Sequence, residues 1–341
     1  MTNRVIHYQR KRRPNANFSV EFIFADVRQR LAGRYDIEVR IAPYFSNGLI
    51  QRLRIIRDVL RYSDCLVHVT GDINFAILGT PQGSGVLTIL DCGFLNRPKG
   101  LIYAFLKKFW LDLPIRRVRF VTTISNAMKS EIVNLCGCDP NKVVVIPVAI
   151  DDSYQPCPKP FPSLRPRLLH LGTAPNKNLA GLVEAVRGLD VVLVVIGKLP
   201  SEIENKLISQ RTQYENYVDL SPEEIVKQYQ LADVVCFVSL YEGFGMPILE
   251  AQATGRPVIT SHVASMPEVA GDAALFVDPT DVSDIRRAIE RVTSDQDLRE
   301  DLIRKGYENV KRFSPEVIAQ QYLSLYERVR RAAKDKGGQV V

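Results

Sequence analysis

The sequence predicts an α/β protein of two domains, each built on a parallel sheet with helices on both faces. Three observations carry that expectation. Short Val- and Ile-rich runs alternate with helical patterns along the chain, and a proline-rich stretch breaks the alternation near its middle. Its 341 residues also exceed what one core usually holds. A hydrophobic content of 46% with 24% charged residues excludes disordered, collagen-like and coiled-coil classes. The net charge of +7 hides a split: residues 1–150 carry 22 basic and 11 acidic side chains, and residues 151–341 carry 23 and 27. The excess positive charge lies in the first half, which points to an anionic partner there.

In the first half RVIHY, IEVRIA, CLVHV, GVLTIL, RFVTTI and KVVVIPV read as buried parallel strands. Between them SVEFIFADVRQRL, GLIQRLRIIRDVLRYS, KGLIYAFLKKFWLDL and NAMKSEIVNLC read as helices. In the second of these Leu49, Leu53, Ile56 and Leu60 form an apolar stripe expected to pack on the sheet, with Arg54, Arg57 and Arg61 off it. The third mixes Lys107, Lys108, Arg116 and Arg117 with Phe105, Phe109 and Trp110. That mixture suits a membrane interface, and equally a buried helix with snorkelling lysines.

Residues 151–166, DDSYQPCPKPFPSLRP, hold five prolines and read as an interdomain linker. Beyond it RLLHL, VVLVVIG, DVVCFVS, RPVIT and ALFV are strands of a second domain, residues 167–313. From 314 on, FSPEVIAQQYLSLYERVRRAAK is a helix with Ile318, Tyr322, Leu325 and Val329 on one face. No apolar run approaches the roughly 18–20 residues of a spanning helix, and the basic start MTNRVIHYQRKRR does not read as a secretory signal. Six scattered cysteines complete no zinc pattern, so reduced thiols and a cytoplasmic location are expected.

The chemistry concentrates in residues 239–261, SLYEGFGMPILEAQATGRPVITS. Glu242, Gly243, Phe244, Gly245 and Met246 follow a strand, where ligands bind in open α/β sheets, and Pro247 suits the first turn of a helix. Glycines let a ligand approach the backbone, and the helix start offers N–H groups to an anion. Glu242 in the loop and Glu250 one turn into the helix suit hydrogen bonds from sugar and ribose hydroxyls. A second loop, HLGTAPNKNLAGL, sets Gly172 and Thr173 after a strand and Lys177 before a helix, where a diphosphate would be neutralised. A third strand ends on Gly197 and Lys198.

EGFGMPILE is an E-x7-E element, and with GTAPNKNL, VVIGK, SMPEVAGDAALFVDP and ENVKRFS it resembles the retaining glycosyltransferases of family 4. The resemblance is strong over residues 168–313 and weaker before, through VHVTGD, TILDCGFL, TTISNAMKSEI and VVVIPVAID. It implies the GT-B fold, two Rossmann-like domains whose parallel sheets face a central cleft, with the terminal helix crossing back to the first domain. The second domain would hold a nucleotide-diphosphate sugar and the first, residues 1–150, an acceptor that is a glycan or a lipid-linked sugar. Glu250 would bind ribose, Glu242 the donor sugar, Lys177 the diphosphate, and Gly243 to Met246 would lie beside sugar and phosphate. The resemblance further implies hexosyl transfer with retention, no cofactor and no metal, and a role in surface polysaccharide or glycolipid assembly.

Two positions depart from the family pattern. Thr173 stands where many members carry Arg, and Leu90 in TILD where many carry a His, so either Asp91 and nearby backbone contact the donor sugar, or the sugar differs, or catalysis is weakened. His68, Gly71, Asp72 and Asn15 are candidates on the acceptor side, with the basic run Arg10 to Arg13 near them. Alternative readings are a silent homologue serving as a binding subunit, and an epimerase or phosphorylase on the same fold. Asp295 and Asp297 spell D-x-D but open a charged helix, where aspartates cap. No nucleic-acid module is visible. An anionic membrane face is an expected partner of the basic half, with peripheral attachment at the cytoplasmic side.

Overall fold

A computed structural model describes residues 4–11, 19–95, 99–162 and 164–337. Asn15, like Arg12 and Arg13, lies outside the described residues. Contacts divide the chain into two compact units: residues 1–149 with 315–341, and residues 150–314.

The first unit holds strands β1 (Arg4–Gln9), β2 (Asp36–Ile41), β3 (Leu66–Val69), β4 (Val86–Thr88), β5 (Phe120–Thr123) and β6 (Val143–Val145). They form one parallel sheet in the order β2-β1-β3-β4-β5-β6. All six coincide with the Val/Ile runs: the inner strands are apolar because both their faces are covered, while the edge strand β2 alternates Ile and Val with charged residues and is only partly buried. Its helices are α1 (Ser19–Leu31), α2 (Gly48–Val59), α3 (Leu101–Leu106), α4 (Leu113–Arg117) and α5 (Asn126–Cys136), with a π-turn over Lys107–Asp112 joining α3 to α4.

The phase of α2 differs from expectation. Ile55 and Val59 face the core, whereas Leu49, Leu53 and Leu60 are each more than half exposed. The longer helical stretch also divides: Trp110 and Leu111 are buried, while Leu101, Ile102 and Phe105 face solvent.

The second unit holds β7 (Arg167–Leu171), β8 (Val192–Ile196), β9 (Gln213–Tyr217), β10 (Val234–Phe237), β11 (Val258–Ser261) and β12 (Leu275–Val277), in the parallel order β12-β11-β10-β7-β8-β9. Strand β9, QYENY, is unanticipated. It lies at the sheet edge with no fully buried residue, so it never needed an apolar run. Helices α6 (Leu179–Ala185), α7 (Ser201–Ser209), α8 (Pro222–Leu231), α9 (Met246–Ala253), α10 (Met266–Ala270), α11 (Val282–Ser294) and α12 (Gln296–Val310) cover the faces. Asp295 caps α12, its carboxylate accepting the Leu298 N–H at 2.9 Å. No regular element is described between Asp151 and Pro166.

Helix α13 (Pro315–Gly337) belongs to the first unit. Ile318, Tyr322, Leu325, Tyr326 and Val329 are buried against Phe24, Val27 and Leu31 of α1. A polar chain runs through this contact. The Tyr326 hydroxyl lies 2.8 Å from His7 Nε2 and 2.8 Å from His68 Nδ1, and His68 Nε2 lies 2.7 Å from Thr88 Oγ1. With one proton to give and lone pairs to accept, the hydroxyl serves both rings when one donates and the other accepts.

Candidate functional site

In the second unit three loops meet at the carboxyl ends of β7, β8 and β10. After β7 the chain turns at Gly172, φ +88°, whose N–H donates to Ile196 O at 2.8 Å. After β8 it turns at Gly197, φ +127°, whose N–H donates to Tyr217 O at 2.8 Å. Both angles favour glycine. A Cβ on Gly197 would also sit 3.2 Å from the Thr173 methyl, so the two loops are in contact. Lys198 is exposed beside them.

Lys177 lies just before α6. Its stem covers Gly172, where a Cβ would come within 3.1 Å of it, and its ammonium stands 4.9 Å from the Phe237 ring centre. That ammonium is paired with Glu242 Oε1 at 2.8 Å, and both side chains are largely buried. The asparagines around it fasten the loop. Asn176 donates to Tyr241 O at 3.1 Å, while Asn178 donates to Val238 O at 3.1 Å and Pro279 O at 2.7 Å.

The loop carrying Glu242, Gly243, Phe244 and Gly245 is held from below by Ser265. Its buried hydroxyl lies 2.9 Å from Glu242 O and 2.6 Å from Phe244 O. Gly245, φ +117°, then turns the chain into α9 at Met246, with Pro247 in the first turn. Glu250 sits one turn further. Its carboxyl accepts hydrogen bonds from the Tyr229 and Tyr154 hydroxyls. The residue keeps some exposed surface, but its carboxyl is closely surrounded, and desolvation pushes it up to about 7 against the pull of both tyrosines. Lys177 is near enough to act on that carboxyl electrostatically. Thus Gly172, Thr173, Lys177, Gly197, Glu242 and Glu250 converge. Sequence reasoning missed Ser265, Tyr154, Tyr229 and the two asparagines. Only Asn176 and Asn178, flanking Lys177, offered a signal.

The first unit has its own cavity of about 510 Å³ at the carboxyl ends of β1, β3 and β4. Gly71, Asp72, Leu90 and Asp91 line it, as expected of strand ends. Arg10 crosses it, with Nη1 2.9 Å from Asp72 Oδ2, and Trp110 Nε1 donates to Asp72 O at 3.2 Å. Asp91 accepts the Gly93 N–H at 2.8 Å. His68 requires a correction. It is fully buried, engaged at both ring nitrogens and held neutral by desolvation at about 3, so it stands behind the wall that Thr88 forms rather than on the acceptor side. Among the described residues no cluster of His, Cys, Asp or Glu is arranged to hold a metal.

Residues 159–309 match the family described as glycosyl transferases group 1. The O-antigen chain mannosyltransferase B of Escherichia coli is 31% identical over 61% of this chain and 60% of its own length. The MMP alpha-(1->4)-mannosyltransferase of Mycolicibacterium hassiacum is 31% identical over 62% of this chain and 55% of its own. The chain thus spans little more than half the length of these relatives. Two solved structures share the fold at 16% identity while covering 96% of this chain. They are a glycosyltransferase from Rickettsia africae, TM-score 0.75 over 99% of its length, and a sucrose-phosphate synthase from Thermosynechococcus elongatus, TM-score 0.76 over all of its length. Residues 159–309 thus match the group 1 glycosyl transferases, and the chain as a whole shares the two-sheet GT-B architecture of the solved structures.

Proposed function

We propose that this protein transfers a hexose, with mannose the first candidate, from a nucleotide-diphosphate sugar to a hydroxyl of a glycan or lipid-linked acceptor. Two relatives named as mannosyltransferases support the sugar. The observation that carries the reading is the meeting of Lys177, Glu242 and Glu250 at the carboxyl ends of one sheet. A cation is there for a diphosphate, and two carboxylates are there for hydroxyls.

On this reading the diphosphate draws Lys177 away from Glu242, and Glu242 takes hydroxyls of the donor sugar in exchange. The N–H groups at the start of α9 share the phosphate charge, so transfer needs no metal. Glu250 takes the ribose hydroxyls. The acceptor oxygen bonds to the anomeric carbon on the face from which the diphosphate leaves, and its proton passes to the departing phosphate oxygen. The configuration is retained. The protein positions the reactants and stabilises the charge that grows on the leaving group. The cavity lined by Gly71 and Asp72 serves the acceptor side. Assembly of cell-surface polysaccharide or glycolipid in the cytoplasm fits six unpaired cysteines and relatives of this kind.

The product decides it. Proton NMR of the transferred sugar, with a chelator present, is expected to show the donor's anomeric configuration at an undiminished rate. An inverted product, or activity lost to the chelator, contradicts the proposal.

A further inference from the structure

The second unit holds a further cavity, of about 480 Å³, at the amino ends of β10 and β11. That is the opposite end of the sheet from Lys177 and Glu242. Three pieces of chain enclose it. Residues 158–161 of the proline-rich segment pass along one side, and Asp233 and Gly255 to Pro257 lie at the strand ends. Helix α12 closes the rest, with Arg299, Ile303 and Tyr307 on one helix face. Gly255, φ +74°, makes room for the Tyr307 hydroxyl, which would lie 2.1 Å from a Cβ there. The volume falls in the range of small-molecule pockets.

The lining is apolar with a few placed charges. Phe161, Pro257, Ile303 and the Tyr307 ring supply apolar surface, and the Arg299 guanidinium lies 3.9 Å from the centre of the Phe161 ring. Arg256 is the unusual member. It is 4% exposed, and desolvation lowers its pKa from the ordinary guanidinium value. Its Nε donates to Tyr229 O at 3.1 Å and its Nη2 to Cys157 O, so both partners are neutral carbonyls. Asp233, equally buried, is engaged elsewhere: Lys159 Nζ stands 2.6 Å from its Oδ1, and the Arg167 N–H donates to its Oδ2 at 2.7 Å. Glu300 is exposed and accepts the Gln296 amide at 2.8 Å. A buried guanidinium held only by carbonyls is destabilising, and an anionic ligand would offset that.

We propose that this cavity binds a small organic anion with an aromatic or apolar body, its charge on Arg256 and Arg299 and its body against Phe161, Ile303 and Tyr307. The same walls support the donor site. Tyr229, whose carbonyl takes Arg256, gives its hydroxyl to Glu250. Tyr154, four residues before the segment that flanks the cavity, packs edge-on against the Tyr229 ring, with centres 5.5 Å apart. An occupant that fixes Arg256 and this segment therefore steadies both hydroxyls on Glu250. On the functional reading above, which this coupling rests on, it tightens nucleotide binding, and nucleotide tightens the anion by the same factor.

The test is titration calorimetry of the full chain with benzoate and phenyl phosphate, with benzyl alcohol and benzylamine as neutral and cationic counterparts. The two anions are expected to bind once per chain at millimolar concentration, and the counterparts at least about tenfold more weakly. Saturating benzoate should tighten nucleoside diphosphate binding by about fivefold. Arg256→Gln should lose the anion, but it also deprives two carbonyls of a donor. Ile303→Trp, which fills the cavity and leaves Arg256 in place, should lose the anion too, with thermal melting as the fold control. Anions that fail to bind, that bind no better than benzyl alcohol, or that bind the folded Ile303→Trp protein undiminished overturn the proposal. So does a nucleotide affinity that benzoate leaves unmoved. Anion binding by a chain that takes no nucleotide would support the cavity and contradict the donor reading instead.

Discussion

Lys177 and Glu242 hold each other at 2.8 Å, and the proposed reaction needs each of them elsewhere. The exchange is close to balanced, because each charge loses one partner and gains another. Glu250 is different: desolvation has raised its carboxyl to about 7, and ribose hydroxyls that donate to it favour the charged form. Nucleotide binding should therefore draw a proton off Glu250 and weaken by about tenfold per pH unit below 7. Titration calorimetry between pH 8 and pH 5.5 checks this, with Glu250→Gln expected to bind weakly and without that slope. These three residues were legible because a charged side chain beside glycines at a strand end has few structural uses. Ser265 was not legible. It acts through two carbonyls about twenty residues upstream in the chain, and a serine in SHVASMPEVAG reads as an ordinary helix start. His68 misled for a related reason. In a strand buried on both faces, alternation does not say which side chains look toward a cavity.

At the scale of elements, eleven of the twelve strands lie within the apolar runs, and the edge strand β9 does not. Helix α2 shows the limit of reading a stripe. Leucines at helical spacing marked a face correctly, but Ile55 and Val59 took the core, and periodicity cannot tell a buried face from an exposed apolar one. Helix α13 was read correctly as an amphipathic helix, yet its polar role was hidden. Tyr326 joins His7 and His68 across more than 250 residues of sequence. Removing one hydroxyl leaves two buried ring nitrogens short of a partner, at about 1–3 kcal/mol. Tyr326→Phe should lower the stability of the first unit by that amount. Trp110 is the only tryptophan and lies in that unit, so its fluorescence during urea unfolding reads the change directly.

Over the whole molecule the two units carry different pH liabilities. In the first, His7 and His68 are held neutral by desolvation, His68 down to about 3 and His7 well below its ordinary value. Depressed histidines are proton-poor in the fold, so stability falls as pH drops below about 6.5, where the unfolded chain takes up protons. For His68 this amounts to about 1.3 kcal/mol between pH 7 and pH 5.5, and His7 acts in the same direction. In the second unit His170, at about 4, acts in the same direction, but Glu250 opposes it because a raised carboxyl is more stable protonated. Trp110 fluorescence should therefore report strong acid destabilisation of the first unit, which a double His7→Phe and His68→Phe variant reduces. On the proposed function the charge split has a matching division of labour, with a basic unit for the acceptor and a donor unit that needs only Lys177 and a helix start. That division rests on the donor site. Its most direct test is thermal melting with UDP, GDP, ADP, CMP and their sugars. A nucleotide at 100 times its dissociation constant should stabilise the wild-type protein by about 2.7 kcal/mol. Glu250→Ala should abolish the shift, Lys177→Ala should reduce it for diphosphates, and Glu242→Ala should spare free nucleotide while losing the preference for its sugar. A melting temperature that none of these ligands moves would contradict the account.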